Sequence, residues 1–179
     1  MNETNPTNEE KHWYAVYTNP RVEKKLSELL QKYGIQNYLP LIWEKRKWSD
    51  RIKDVEVPCF KSYIFVKIEF WKERVKVLQL PGSHHFVFAK GVPAIIDETH
   101  ILALQTTLQM RTESVEVREN EALTKGKMVK VISGPLEGYV LEVEKRKNKV
   151  AVFLRFPFMN QMVITEVKIE DIMWEDLKL

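Results

Sequence analysis

The first part of the chain alternates between short apolar runs and one amphipathic stretch, which predict strands and helices in turn. Residues 13–18 are rich in aromatic and β-branched side chains and predict a buried strand. A helix is predicted next, with Asn19 as its N-cap and Pro20 at its first position, because apolar residues then recur at helical spacing, at Val22, Leu26, Leu29, Leu30 and Tyr33. Residues 42–48 and 52–57 predict a hairpin that turns at Ser49 and Asp50.

The strand predicted over residues 60–68 has two faces of different character. One carries Tyr63, Phe65 and Lys67, and the other carries aliphatic residues that suit packing against helices, namely Ile64, Val66 and Ile68. A short helix around Trp71, a strand over residues 84–88 and a helix capped by Asp97 follow. This order favours an α+β sandwich in which helices cover one face of a largely antiparallel sheet.

The second part of the chain predicts only strands. Five of them are predicted, at residues 127–133, 139–146, 149–155, 162–168 and 169–174, which is enough for a small barrel. The stretch before them, residues 111–124, has neither a helical stripe nor strong turn signals and is predicted to be a linker. We therefore expect a disordered tail at 1–11, an α+β domain at 12–110, the linker at 111–124 and a β domain at 125–179.

Turn-forming residues punctuate the start of the β domain. Gly126, Gly134, Pro135 and Gly138 lie between apolar strands, where a small barrel must turn sharply. Any SH3-like barrel has such a corner, but the full spacing resembles a KOW motif.

Composition and charge narrow the class of protein only slightly. Of the 179 residues, 44% are hydrophobic and 30% are charged, and no apolar run approaches the ~20 residues of a membrane span. The polar first 11 residues lack the apolar segment of a secretory signal, and the single cysteine, Cys59, fits a reducing cytoplasm. A formal net charge of +3 permits contact with nucleic acid without demanding it.

Two groups of side chains are candidates for binding. The tip of the predicted hairpin is basic, and Trp43 and Trp48 are interleaved with its cations. These could attract a nucleic-acid backbone and offer stacking surfaces; the cations are Lys45, Arg46, Lys47, Arg51 and Lys53. An exposed hairpin kept soluble by its charges is an equally good interpretation. Near the C-terminus, a loop built around Pro157 carries Phe156, Phe158 and Met159, which are hard to bury there and could form a patch for a partner protein.

From His12 onward, the chain resembles NusG-type transcription elongation factors. The resemblance rests on residues 13–17, on residues 58–66 and on the KOW segment after the linker. Residues 83–87 and 93–96 look more like the specialised paralogues such as RfaH, and residues 45–51 resemble UpxY-type antiterminators of polysaccharide operons. The implied fold is a NusG-type antiparallel sheet with packed helices followed by an all-β, SH3-like KOW barrel.

The resemblance implies a transcription antitermination factor without catalytic residues, cofactor or metal. Its first domain would bind the clamp of RNA polymerase and suppress pausing and termination, with the contact on Trp13, Tyr14, Phe60, Tyr63 and Phe65. Each of these aromatic residues could equally be ordinary core. Lys61 and Ser62 stand where relatives commonly have Pro-Gly or Pro-Asn, so a different local turn is expected.

The specialised relatives imply two further contacts. Non-template DNA or nascent RNA would be met near the first helix and the loop before the short strand, by Arg21, Lys24, Lys25, Gly82 and Ser83. The KOW domain would bind a ribosomal protein or Rho, here through Phe156, Phe158 and Met159.

Two alternatives to a transcription factor are an RNA-binding, translation-associated protein and an enzyme. KOW barrels also occur in RNA-binding ribosomal and translation-associated proteins, which more usually have a higher net charge and basic tails. For an enzyme, His12, His84, His85 and His100 have no metal-ligand spacing with carboxylates, and Cys59 has no paired base. Neither class explains the aromatic first strand.

Overall fold

The computed structural model describes residues 10–48, 50–109, 115–119, 127–146 and 149–173. Its contacts divide the chain into two compact units, Met1–Glu98 and Thr99–Leu179, called here the first and the second unit. The predicted domain limits, with a linker at 111–124, stay a prediction. Within that range the described residues form a short strand, Glu116–Glu119.

The first unit contains most of the elements predicted for it. Along the chain these are β1 (His12–Thr18), α1 (Glu23–Lys32), β2 (Gln36–Tyr38), β3 (Leu41–Lys47), β4 (Ile52–Pro58), β5 (Tyr63–Ile68), α2 (Phe70–Leu78), β6 (Ser83–Phe86), β7 (Phe88–Ala89), β8 (Val92–Pro93) and β9 (Ile95–Ile96).

An antiparallel sheet in the order β2-β5-β1-β6, with β9 also paired to β1, forms the centre of the first unit. Tyr14 lies opposite Val66 and Val16 lies opposite Ile64, so these residues share one face of the sheet. That face forms a core together with residues of α1, α2 and the neighbouring segments, namely Leu26, Leu30, Ile35, Phe70, Val77, Leu80 and Phe86. The prediction that the aliphatic face of β5 packs against helices is confirmed.

The first helix begins later than predicted. Pro20 and Arg21 form a turn, and α1 starts only at Glu23, with Val22 as its N-cap. Arg21 has φ of 68°, a left-handed conformation that cannot belong to a right-handed helix. The sequence pattern could not reveal this, because Pro20 would fit the first turn of a helix equally well.

The second unit continues with α3 (Glu98–Gln109), whose first residue closes the first unit, and with six antiparallel strands. These are β10 (Glu116–Glu119), β11 (Lys127–Val131), β12 (Val140–Arg146), β13 (Lys149–Phe156), β14 (Gln161–Lys168) and β15 (Ile172–Met173). They pair in the order β10-β14-β13-β12-β11-β15. Short 3-10 helices, Pro157–Met159 and Ile169–Asp171, precede β14 and β15. The α+β fold class with a C-terminal β part is confirmed, although the strand predicted at 169–174 is reduced to two paired residues.

The glycine-bearing loop joins β11 to β12. Gly138 has φ of 87° and donates its backbone N–H to Val131 O at 2.9 Å, which closes the loop and requires a backbone that other residues rarely adopt. Gly134, with Pro135 after it, lies at the other end of the same loop, and Leu136 between them is buried. Gly126 lies outside the described residues.

Candidate interaction surfaces

The sheet face opposite the helices is aromatic. Trp13 pairs with Lys67, Ala15 with Phe65 and Tyr17 with Tyr63, so all six side chains share this face, which we call the aromatic face. Trp13 is 3% exposed and Phe65 is fully buried, whereas Tyr63 and Tyr17 keep intermediate exposure.

Tyr14 does not belong to the aromatic face. It is fully buried on the helix side, with its ring centroid 5.0 Å from that of Phe70 and 6.2 Å from that of Phe86. Burial also raises the pKa of its hydroxyl to about 12. Sequence reasoning grouped Tyr14 with Trp13 because both are aromatic, but adjacent residues of a strand point to opposite faces.

A tight turn before β5 fixes the position of Phe60. Tyr63 N donates to Phe60 O at 3.3 Å and Ser62 has φ of 62°, which is the left-handed third position of a type II turn. Proline and glycine would favour this same turn at residues 61 and 62, and the expected difference from the turn of relatives stays a prediction. Phe60 is 1% exposed, and its ring meets that of Phe65 edge-on at 5.8 Å.

A buried carboxylate holds this turn against α1. Glu23 is 4% exposed, and its Oε1 accepts the backbone N–H of Ser62 at 2.8 Å. The sequence pattern did not single out Glu23, since an acidic residue in the first turn of a helix is usual at the surface.

Lys67 links the aromatic face to the start of α3. Its Nζ donates to the Glu98 carboxylate at 2.5 Å and lies 6.0 Å from the centroid of the Trp13 ring. The hydrogen bond from Lys67 lowers the pKa of Glu98.

The candidate nucleic-acid residues around α1 are brought together by a close backbone approach. Asn19 N donates to Gly82 O at 2.9 Å, and a Cβ at Gly82 would lie 2.7 Å from Val22 Cγ2. This packing places exposed Arg21 beside the loop of Gly82 and Ser83.

Two polar groups in this loop are already used or buried. Ser83 N donates to Leu80 O at 3.1 Å, and Ser83 Oγ is buried with no hydrogen-bond partner among the residues that the structure describes. The exposed charges of the region therefore belong to Arg21, Lys24 and Lys25.

Lys24 joins α1 to the hairpin of β3 and β4. Its Nζ donates to Glu56 O at 3.0 Å and lies 4.0 Å from the Glu56 carboxylate. The two sets of cations predicted separately from the sequence, one on the helix and one on the hairpin, are thus connected through this lysine.

A cluster of rings at the edge of the sheet was not singled out in the sequence. Tyr17 stacks on His85 with centroids 5.1 Å apart and meets Tyr63 edge-on at 5.3 Å, and His84 lies 6.1 Å from Tyr17. The spacing of Trp13, Ala15 and Tyr17 along one strand was the signal that could have found Tyr17.

In the second unit, the loop of Phe156, Phe158 and Met159 differs from expectation. Phe156, the last residue of β13, is 3% exposed, and Met159, the last residue of the 3-10 helix, is 5% exposed. Of the three, only Phe158, at 49%, faces solvent. The ring of Phe156 meets that of His100 at 6.1 Å.

The described residues offer neither a membrane span made of a helix nor a cluster of metal ligands. Within the described residues, no helix combines the length and apolar character needed to cross a bilayer. The same part of the chain holds no group of three or more histidine, cysteine, aspartate or glutamate side chains placed to bind a metal ion.

The α+β unit followed along the chain by antiparallel strands agrees with the fold that the resemblance to NusG-type transcription factors implies. The family model described as transcription termination factor nusG matches residues 11–105, more than half of the chain. The protein therefore belongs to the NusG family and is a transcription termination/antitermination factor of that family.

Individual relatives agree with this assignment. The chain is 26% identical over 165 residues to the transcription termination/antitermination protein NusG of Rickettsia felis, covering 79% of this chain and 80% of the relative. It is 26% identical over 162 residues to NusG of Staphylococcus carnosus, covering 80% and 86%. A solved structure described as domain interaction in Thermotoga maritima NusG is 20% identical, covers 96% of this chain and 100% of that one, and superposes with a TM-score of 0.48.

Proposed function

We propose that this protein binds the clamp of RNA polymerase through the aromatic face and suppresses pausing and termination at specific operons, such as those for polysaccharide biosynthesis. The observation that carries the proposal is the aromatic face itself. Large rings of Trp13, Tyr63 and Phe65 lie on the side of the sheet opposite α1 and α2, and Tyr63 stays partly exposed there. Aromatic residues are enriched where proteins bind one another.

Within this face, we assign the direct contact to Tyr63. It is the one residue of the proposed set with intermediate exposure, and its ring packs against Tyr17. Trp13, Phe60 and Phe65 are almost fully buried and support it, while Tyr14 acts from the opposite side as part of the core. A tyrosine over a rigid aromatic layer offers contact area at a low entropy cost.

The mechanism we propose is a population shift. A protein that binds the closed, elongating polymerase more tightly than the paused form stabilises it by the difference between the two affinities. No chemical step is required of the factor.

The test is single-round transcription by the host polymerase through a long leader with pauses and terminators. We expect the full-length protein to increase readthrough and Tyr63→Ala to lose most of that increase. Tyr33→Ala is the matched control, because Tyr33, the C-cap residue of α1, is 51% exposed and lies outside the aromatic face. Folding of each variant is checked by its thermal unfolding.

Equal activity of Tyr63→Ala and Tyr33→Ala would refute the assignment of the contact to Tyr63. Unchanged readthrough on every leader, together with no binding to polymerase, would refute the function and favour an RNA-binding, translation-associated protein.

Two further contacts belong to the same proposal. Non-template DNA or nascent RNA is bound by the surface formed by α1 and the loop before β6. Its cations are Arg21, Lys24 and Lys25, and the loop contributes Gly82 and Ser83. A ribosomal protein or Rho is bound by the second unit, where Phe158 is the exposed residue of the proposed patch.

A further inference from the structure

The hairpin of β3 and β4 has two faces whose charges differ in kind. The pairing of Trp43 with Glu56, Lys45 with Asp54 and Lys47 with Ile52 places these six side chains on one side, called here the lysine face. The pairing of Glu44 with Val55 and Arg46 with Lys53 places these on the other side. The sequence alone, without the register, could not make this division.

The cations of the hairpin are not equally available. Arg46 donates from both Nε and Nη2 to Glu44 Oε2 at 3.1 Å, and Arg51 lies 3.8 Å from Asp50. Lys45 and Lys47 have no ion pair within the described part of the chain. Lys45 and Lys47 lie on the lysine face, at alternate residues of β3. Lys53, on the other face, likewise has no ion pair among the described residues.

Two tryptophans of the hairpin are more than half exposed, Trp43 at 57% and Trp48 at 54%. Trp43 is on the lysine face, two residues from Lys45 and four from Lys47, a spacing of ~7 Å between successive side chains. An indole with two unpaired ammonium groups along the same strand presents a stacking surface followed by two cations.

We propose that the lysine face binds single-stranded nucleic acid, with an unpaired base stacked on Trp43 and backbone phosphates on Lys45 and Lys47. Phosphates complement the two free lysines, and an unpaired base offers the flat face that an indole stacks on. A duplex hides the faces of its bases between neighbouring pairs, so it cannot use Trp43 in this way. Trp48, at the tip of the hairpin, is a second stacking position.

The carboxylates of the lysine face limit how strong the electrostatic part can be. The Glu56 carboxylate lies 4.0 Å from Lys24 Nζ, which offsets part of its charge, and Asp54 lies opposite Lys45. Stacking therefore dominates, and about two phosphate contacts give a slope of log K against log salt of about −1.4 for a single strand.

The inference rests on the proposed function, to whose nucleic-acid surface around α1 it adds one face of the adjoining hairpin, but its test contains no polymerase. The full-length protein is titrated into fluorescein-labelled oligonucleotides of about 12 nucleotides, within the range such surfaces occupy. One arm uses single-stranded DNA, a second uses RNA of the same sequence and a third uses the DNA duplex, and anisotropy reports binding. Failure of every oligonucleotide to bind would count against this inference alone, because readthrough is measured in a separate experiment with polymerase.

We expect the single strand to bind more tightly than the duplex. Trp43→Ala should weaken that binding at least fivefold, while Trp43→Phe should keep most of it, because a phenyl ring still stacks. The matched control is Trp71→Ala, since Trp71 is a similarly exposed tryptophan, at 49%, on α2. Tighter binding of DNA would identify non-template DNA as the ligand, and tighter binding of RNA would identify nascent RNA.

The charge pattern gives a second, independent comparison. Lys45→Ala with Lys47→Ala should flatten the salt dependence, whereas Arg46→Ala should leave it unchanged, because Arg46 lies on the other face and is paired with Glu44. Equal effects of the lysine and arginine changes would overturn the proposal. So would a duplex bound as tightly as the single strand, no binding of any oligonucleotide, or a Trp43→Ala change that leaves the affinity for the single strand unaltered.

Discussion

Ser62 occupies a backbone conformation that suits glycine better than serine. Its φ of 62° is left-handed, and a side chain in this region costs about 1–3 kcal/mol. Two hydrogen bonds hold Ser62 in this conformation. Its N–H donates to Glu23 Oε1 and its O accepts from the Thr18 N–H, each at 2.8 Å. Both bonds use the backbone, so they do not depend on the serine side chain.

We therefore expect Ser62→Gly to stabilise the protein. Relief of the left-handed strain is partly offset by the greater entropy that glycine loses on folding, about 0.5–1 kcal/mol, so a net gain of up to about 2.5 kcal/mol is expected. Urea unfolding at equilibrium measures it. Ser62→Ala is the control, because it keeps the Cβ and should bring no gain; a loss of stability in Ser62→Gly would contradict the account.

Among the elements, the junction between α1 and the loop before β6 depends on Gly82. The loop can approach the helix only because Gly82 has no side chain, and its φ of 94° is one that other residues rarely adopt. The same junction ties Asn19, two residues before Arg21, to Gly82 and thus supports the proposed nucleic-acid surface.

Gly82→Ala should cost about 2 kcal/mol or more, because it adds the clash with Val22 to the strain at positive φ. Gly91→Ala separates the clash from the backbone strain. Gly91 has φ of 83°, but a Cβ added there would meet no atom within 4 Å, so the substitution should cost about 1 kcal/mol. Urea unfolding again provides the free energies. Adding Val22→Ala should reduce the extra loss in Gly82→Ala; equal losses at Gly82 and Gly91 would show that the close approach does not matter.

Most of these elements follow from the sequence, and the failures have physical causes. The two faces of β5 were predictable, because alternation in a buried strand allows only one arrangement. The start of α1 was not, because a left-handed Arg21 leaves no mark in the hydrophobic pattern.

The candidate sites were predictable only in part. The basic hairpin was visible in the sequence, but which of its cations are free depends on cross-strand register and on the Arg46–Glu44 pair, which only coordinates give. For the same reason, the separation of Tyr14 from the other aromatic candidates appeared only once the strands were paired.

At the scale of the whole molecule, two separate units allow two separate functions on one chain. The first unit holds the aromatic face and the hairpin, and the second holds the loop with Phe158. If the proposed division of roles is right, a change at Phe158 should affect only what depends on the second partner.

Phe158→Ala should therefore weaken binding to Rho or to the ribosomal protein while leaving pause suppression by the first unit intact. Because Phe158 is 49% exposed, its loss should change the free energy of unfolding by no more than about 0.5 kcal/mol. Phe156→Ala is the contrasting variant two residues away: its side chain is 3% exposed, and truncation should cost about 3–5 kcal/mol by leaving a cavity.

The measurement is transcription through a pause and a Rho-dependent terminator on one template, with and without purified Rho, alongside direct binding of Rho and of the ribosomal protein. A Phe158→Ala protein that keeps pause suppression but loses the response to one partner identifies that partner and places its contact on the exposed ring. Loss of both activities in a variant of unchanged stability would mean that the two units do not act separately. Retention of both would move the second contact away from this loop.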